Sequence, residues 1–232
     1  MFNRQPPTLS IMSFNQSLTS LEESATLALA ARVRELKAQG RDIISMSLGE
    51  PDFGTPVHIR QGAIVAIREG VTSYPPVPGL PELREALVNK LREENGLTYS
   101  DKEILVGNGA KHSLLNALMV LCNPGDEVIL PVPYWVSYKP MTLLTGATPI
   151  ELQPDPVTLK LTPNLLEATL TPKTKAVFLN TPSNPSGAVY SREELEALAQ
   201  VLAKWPDVWV ISDEIYEYLL FEGEHVSFAS LP

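Results

Sequence analysis

AVFLNTPSNPSGAVYSREELEALAQVLAKWPDVWVISD, residues 176–213, decides the fold. Ala176-Val177-Phe178-Leu179 is a short, continuous apolar run, the pattern of a strand buried on both faces. Asn180 to Gly187, with Pro182 and Pro185, breaks it. Ser191 then caps a helix, Glu194 completes a capping box, and Leu195, Leu198 and Leu202 lie inward. Val208-Trp209-Val210-Ile211 is a second apolar run. Strand, helix and strand in this order make a βα unit that feeds a parallel sheet.

The same rhythm extends upstream. Glu127-Val128-Ile129-Leu130 and Ala147-Thr148-Pro149-Ile150 read as strands, as does Ile104-Leu105-Val106 before Gly107-Asn108-Gly109. A helix with Leu114, Leu115, Leu118 and Leu121 on one side follows that turn. Pro81 opens another helix, in which Leu83, Leu87 and Leu91 recur every four residues until Gly96. Ala25 to Lys37 reads as a helix stopped by Gly40, and Ile43 to Leu48 alternates like a half-buried strand. The first forty or so residues form a polar arm and helix. The fold class is α/β with a mainly parallel sheet.

Composition narrows the function. The 232 residues are 44% hydrophobic and carry a formal net charge of −9, against the general phosphate attraction of non-specific nucleic-acid binding. Cys122 is the single cysteine, so no intrachain disulfide forms and a reducing cytoplasm fits. Its apolar setting marks a buried small hydrophobe. No run approaches the ~18–20 apolar residues that span a bilayer, and the start lacks a signal-peptide core. His58, His112 and His225 show no metal-ligand spacing.

In an open parallel sheet the ligand site lies beyond the carboxyl ends of the strands. Four such ends carry chemistry here. Val106 to Ser113 is a strand, a glycine turn and a helix start, with backbone N–H groups and Lys111 suited to an anion. It lacks the third glycine of a dinucleotide fingerprint and the Gly-Lys pair of a phosphate loop; an ordinary tight turn also fits. Asn180 to Gly187 presents Asn184 on a proline-stiffened loop, or is simply a turn before a helix. Asp213 follows four strongly apolar residues, where a carboxylate is costly without donors or a cation, unless it serves as a turn aspartate. Tyr216 stands three residues on. Trp135, in Pro133-Tyr134-Trp135, either packs in the core or offers a flat stacking face.

An anion site, a flat aromatic, a buried carboxylate, an amide and a phenol together suit pyridoxal phosphate, whose ring nitrogen stays protonated when it faces a carboxylate. The sequence resembles the class I (fold type I) aminotransferases, above all the bacterial aspartate aminotransferase subgroup. The resemblance runs from about residue 20 to the end. It is carried by Ser24-Ala25-Thr26, Gly49-Glu50-Pro51-Asp52-Phe53, Tyr74, Pro81-Glu82-Leu83-Arg84 and Gly109-Ala110-Lys111. Pro124-Gly125-Asp126-Glu127-Val128, Pro133-Tyr134-Trp135, Asn184-Pro185-Ser186-Gly187 and Ser212-Asp213-Glu214-Ile215-Tyr216 follow in the family's order.

The resemblance implies a seven-stranded-type large-domain sheet, here incomplete, with residues 56–232 as the cofactor-binding large domain. Residues 1–55 would be an N-terminal arm and part of a small domain. It implies that Trp135 stacks on the cofactor ring, Asp213 pairs with the ring nitrogen, and Asn184 and Tyr216 bond the phenolate oxygen. Gly109, Ala110 and Lys111 would edge the phosphate pocket, and Tyr74 would reach the phosphate of the partner subunit of a homodimer. Gly49 would hold the substrate α-carboxylate beside Trp135 and Asn184, and Lys111 with Ser24 and Thr26 would take a distal carboxylate. The expected reaction moves the amino group of an acidic amino acid to a 2-oxo acid in the cytoplasm, without nucleic acid, membrane or metal.

One feature departs from the family. Its Schiff-base lysine lies shortly after the strand that ends at Asp213, yet Lys204 is the last lysine of these 232 residues. The expectation is therefore a chain without its catalytic lysine, incompetent alone. A non-catalytic remnant that binds pyridoxal phosphate or a partner chain, and a carbon–sulfur lyase on the same fold, are the alternative readings.

Overall fold

A computed structural model describes residues 16–19, 21, 25–46, 49, 51 and 53–232. Along the chain run α1 (Gln16–Thr19), α2 (Ala25–Ala38), α3 (Val57–Arg68), α4 (Pro81–Asn95) and α5 (Ala110–Leu121). Then come β1 (Glu127–Pro131), α6 (Tyr138–Leu144), β2 (Thr148–Leu152), α7 (Pro163–Thr169), β3 (Thr174–Asn180), α8 (Arg192–Leu202) and β4 (Trp209–Asp213). These pack as two compact units. One holds residues 114–221 with the described part of 1–22; the other holds 23–113 and 222–232.

The first unit is built on a four-stranded parallel sheet in the order β2-β1-β3-β4. Alternation along each strand divides its core. Val128, Leu130, Ala176, Phe178 and Ile211 share a cluster with Leu114 and Leu118 of α5 and Tyr138 and Met141 of α6. Ile129, Val177 and Leu179 point to the opposite face and are buried as completely. Both faces of the sheet are therefore covered, which is why its strands read as continuous apolar runs. Each fully buried side chain of this size contributes about 1.5–3 kcal/mol.

Local signals set the helix ends. Ser191 Oγ accepts from Glu194 N–H at 3.3 Å, and Ser191 N–H donates to the Glu194 carboxylate at 2.7 Å, so the capping box forms. Leu195, Leu198 and Leu202 are buried behind it. In the second unit Pro81 is the first residue of α4, and Gly96 ends that helix with φ 68°, in the left-handed region. Gly40, with φ 81°, follows α2.

Two expected strands are absent. Ile43 to Met46 takes no regular structure; Ile44 and Met46 are 89% and 93% exposed, and residues 47–48 lie outside the described set. Ile104 to Val106 is likewise irregular; Val106 N–H donates to Pro78 C=O at 3.0 Å, and Leu105 is exposed. The physical reason is the same for both. Alternating or apolar residues form a strand only when a neighbouring strand completes the ladder, and among the described residues none pairs with either. Among the described residues, no helix is long and apolar enough to cross a membrane.

Candidate active site

All four strands run parallel, so their carboxyl ends share one edge of the sheet. Asp213, the last residue of β4, sits in register opposite Asn180, the last residue of β3. Asn180 joins the two ends: its Nδ2 donates to the Asp213 carbonyl at 2.8 Å, and its Oδ1 accepts from Asn184 N–H at 2.7 Å. The proline loop is tight. Thr181-Pro182 and Asn184-Pro185 are both cis, and Ser183 N–H bonds Ala188 C=O at 2.9 Å. Asn184 is thereby held so that its Nδ2 donates to the Tyr216 hydroxyl at 3.3 Å. Amide and phenol stand side by side, able to serve one acceptor together.

The Asp213 carboxylate is 7% exposed. Ile215 N–H donates to its Oδ1 at 3.3 Å and the Tyr138 hydroxyl to its Oδ2 at 2.6 Å. Among the described residues no cationic side chain pairs with it. An anion this buried calls for a positively charged counterpart. A carboxylate acceptor held in this way fits the N–H of a protonated pyridine ring.

Tyr138 connects the carboxylate to the aromatic neighbourhood. It is 1% exposed, stacks on Phe178 with ring centres 4.4 Å apart, and meets Trp135 edge-on at 5.6 Å. Burial and then the Asp213 charge push its phenol far above the ordinary tyrosine range, so it remains an O–H donor. Trp135 is half-buried, so it packs against the core through one edge while part of it stays open. Tyr134 bonds the Glu151 carboxylate, which also takes Lys139 Nζ at 3.0 Å; this ties the Pro133–Trp135 segment to β2. Val132-Pro133 is cis as well.

The remaining expected residues belong to the other unit. The Gly107–Ser113 turn does lead into α5, with Gly109 at φ 79°, Ala110 as the first helical residue and Lys111 exposed in the first turn. A Cβ at Gly107 would lie 2.1 Å from Ser113 Oγ, so any larger residue there requires the Ser113 hydroxyl to move. Asn108 N–H donates to His112 Nδ1 at 3.0 Å, giving His112 a turn-stabilising part. Tyr74 is fully exposed and Gly49 exposed. Ser24 lies outside the described residues, as does the side chain of Thr26, although Thr26 falls within α2.

Thus the structure gathers Trp135, Asn184, Asp213 and Tyr216 around one edge. Sequence reasoning missed Tyr138 there. Its signal was present: an aromatic three residues after Trp135, and a buried carboxylate in need of a donor.

A family model described as aminotransferase class I and II matches residues 41–231. The chain belongs to this family. Among similar aminotransferases, the aspartate/prephenate aminotransferase of Cereibacter sphaeroides is 49% identical over 209 residues, covering 90% of this chain and 52% of that protein. The aspartate/prephenate aminotransferase of Thermus thermophilus is 45% identical over 221 residues, covering 92% of this chain and 55% of that one. A solved Thermus thermophilus aspartate aminotransferase with maleate superposes with a TM-score of 0.90 at 43% identity, covering 93% of this chain and 56% of that chain. The α/β architecture is therefore that of the aminotransferase fold. The chain spans about half the length of the curated relatives it matches.

Proposed function

We propose that these residues carry the cofactor-binding part of an aspartate-type aminotransferase, which uses pyridoxal 5'-phosphate to move the amino group of aspartate or glutamate to a 2-oxo acid. The observation that carries the reading is Asp213, a buried carboxylate that no cationic side chain among the described residues pairs with, set in one neighbourhood with an amide, two phenols and an indole. When bound, pyridoxal phosphate supplies an electron-withdrawing ring that takes up the electron pair left by the departing α-proton.

The chain's residues bind and orient. Asp213 keeps the proton on the ring nitrogen, and Trp135 lies against the ring. Asn184 and Tyr216 hold the phenolate oxygen. By the family pattern, Gly109, Ala110 and Lys111 hold the phosphate, and Tyr74 serves the partner subunit of a homodimer. Its full exposure suits that part. Gly49 offers its backbone to the α-carboxylate, and Lys111, Ser24 and Thr26 select a distal carboxylate. On the same pattern residues 56–232 form the large domain and 1–55 the arm with part of a small domain. The setting is a cytoplasm.

Lys204 is the last lysine of the 232 residues, so the α-proton transfer that the family assigns to a lysine after Asp213 has no amine in this stretch. The purified 232-residue chain is expected to show no aspartate:2-oxoglutarate amino transfer by isotope-traced NMR. The same chain extended through a family-type lysine segment is expected to react, with aspartate preferred to alanine. Turnover by the 232 residues alone, near the rate of a full-length relative, refutes this assignment.

A further inference from the structure

We propose that Tyr138 is a positioning residue for the cofactor's ring nitrogen, acting through Asp213; the inference rests on the Asp213 reading above. Three observations converge on it. Its hydroxyl lies 2.6 Å from Asp213 Oδ2, across 75 residues of sequence. Its ring is clamped between Phe178, stacked at 4.4 Å, and Trp135, edge-on at 5.6 Å. Its own carbonyl, at the first residue of α6, accepts the Thr142 hydroxyl at 2.9 Å. The donor is therefore held by packing from β3, from the Trp135 loop and from its own helix.

The choice of a phenol has a chemical consequence. A lysine or arginine on Oδ2 would cancel the charge that the ring nitrogen needs. A neutral O–H fixes the carboxylate's orientation through a charge-assisted hydrogen bond and brings no opposing charge of its own. The other oxygen, Oδ1, has Ile215 N–H at the longer distance of 3.3 Å, so Tyr138 is the stronger of the two anchors. The same ring touches Trp135, so one side chain sets both the indole proposed to lie against the cofactor and the carboxylate proposed to meet its nitrogen.

The test compares Kd for pyridoxal 5'-phosphate and for its 1-deaza analogue, in which CH replaces the ring nitrogen, by quenching of tryptophan fluorescence in the purified chain. The wild type is expected to prefer pyridoxal phosphate. Tyr138→Phe keeps the ring packing and is expected to reduce that preference by about tenfold to a hundredfold, the range for a hydrogen bond to a charged group, with affinity for the analogue nearly unchanged. Tyr138→4-aminophenylalanine keeps a weaker neutral donor and is expected to give an intermediate preference. It also serves as the comparison if the phenylalanine variant does not fold. Equal losses for both ligands show a merely structural part and overturn the proposal, as does a preference unchanged in either variant. A wild type that binds pyridoxal phosphate and its analogue equally overturns the Asp213 reading itself and the proposal with it.

Discussion

Raising the pH above 10 should weaken the sheet unit by a route that Tyr138→Phe removes. An ordinary tyrosine ionises near ~10, whereas burial and the Asp213 charge raise the folded-state value of Tyr138 well above that. The folded state then holds a proton that the unfolded chain has released. A raised folded pKa gives stability that is complete below the unfolded value and is lost as pH rises, at about 1.36 kcal/mol per pH unit for one proton. Tyr190, pushed up to about 12 by burial, adds a parallel loss in wild type and variant alike. At pH 8 the variant leaves the Asp213 carboxylate without its closest donor, a cost of about 1–3 kcal/mol. Between pH 10 and 11.5 the gap between the two proteins should narrow by about 2 kcal/mol, one proton over one and a half units. Urea unfolding followed by tryptophan fluorescence measures it, because Trp135, Trp205 and Trp209 are the only tryptophans and all lie in the 114–221 unit. A gap that stays constant from pH 8 to 11.5 refutes the argument.

Two further outcomes follow from local geometry. Ser191→Ala removes the acceptor for Glu194 N–H and should cost about 1 kcal/mol in urea unfolding without changing pyridoxal phosphate affinity; a neutral result contradicts the capping box. Gly107→Ala drives a Cβ to 2.1 Å from Ser113 Oγ and should weaken pyridoxal phosphate binding through the distorted turn. Adding Ser113→Ala should recover much of the loss, and additive effects would show that the clash is not the cause.

What was legible in the sequence was what local chemistry determines. Ser191 with Glu194, and Pro81 with Gly96, mark helix ends because caps act over three or four residues. The apolar runs at Val128–Leu130 and Ala176–Leu179 read as strands because both sheet faces are covered. Ile43–Met46 and Ile104–Val106 misled because a strand also needs a partner, which its own residues do not reveal. The same limit hid Tyr138: its meaning is the bond to Asp213, 75 residues away. Asp213, Asn184, Tyr216 and Trp135 were visible because strand ends and an ordered set of motifs flagged them. The cis state of Pro182 and Pro185 was not, since an X-Pro bond is written identically either way.

The central claim is that the buried Asp213 carboxylate at the end of β4 receives the cofactor ring. Titration of the chain with pyridoxal 5'-phosphate, read by tryptophan quenching and by circular dichroism induced in the cofactor's absorption band, tests it most directly when wild type is compared with Asp213→Ala. The account predicts saturable quenching with an induced signal in the wild type, and affinity at least tenfold weaker with the signal lost in the variant. Equal affinity and equal signal in the two proteins would contradict it.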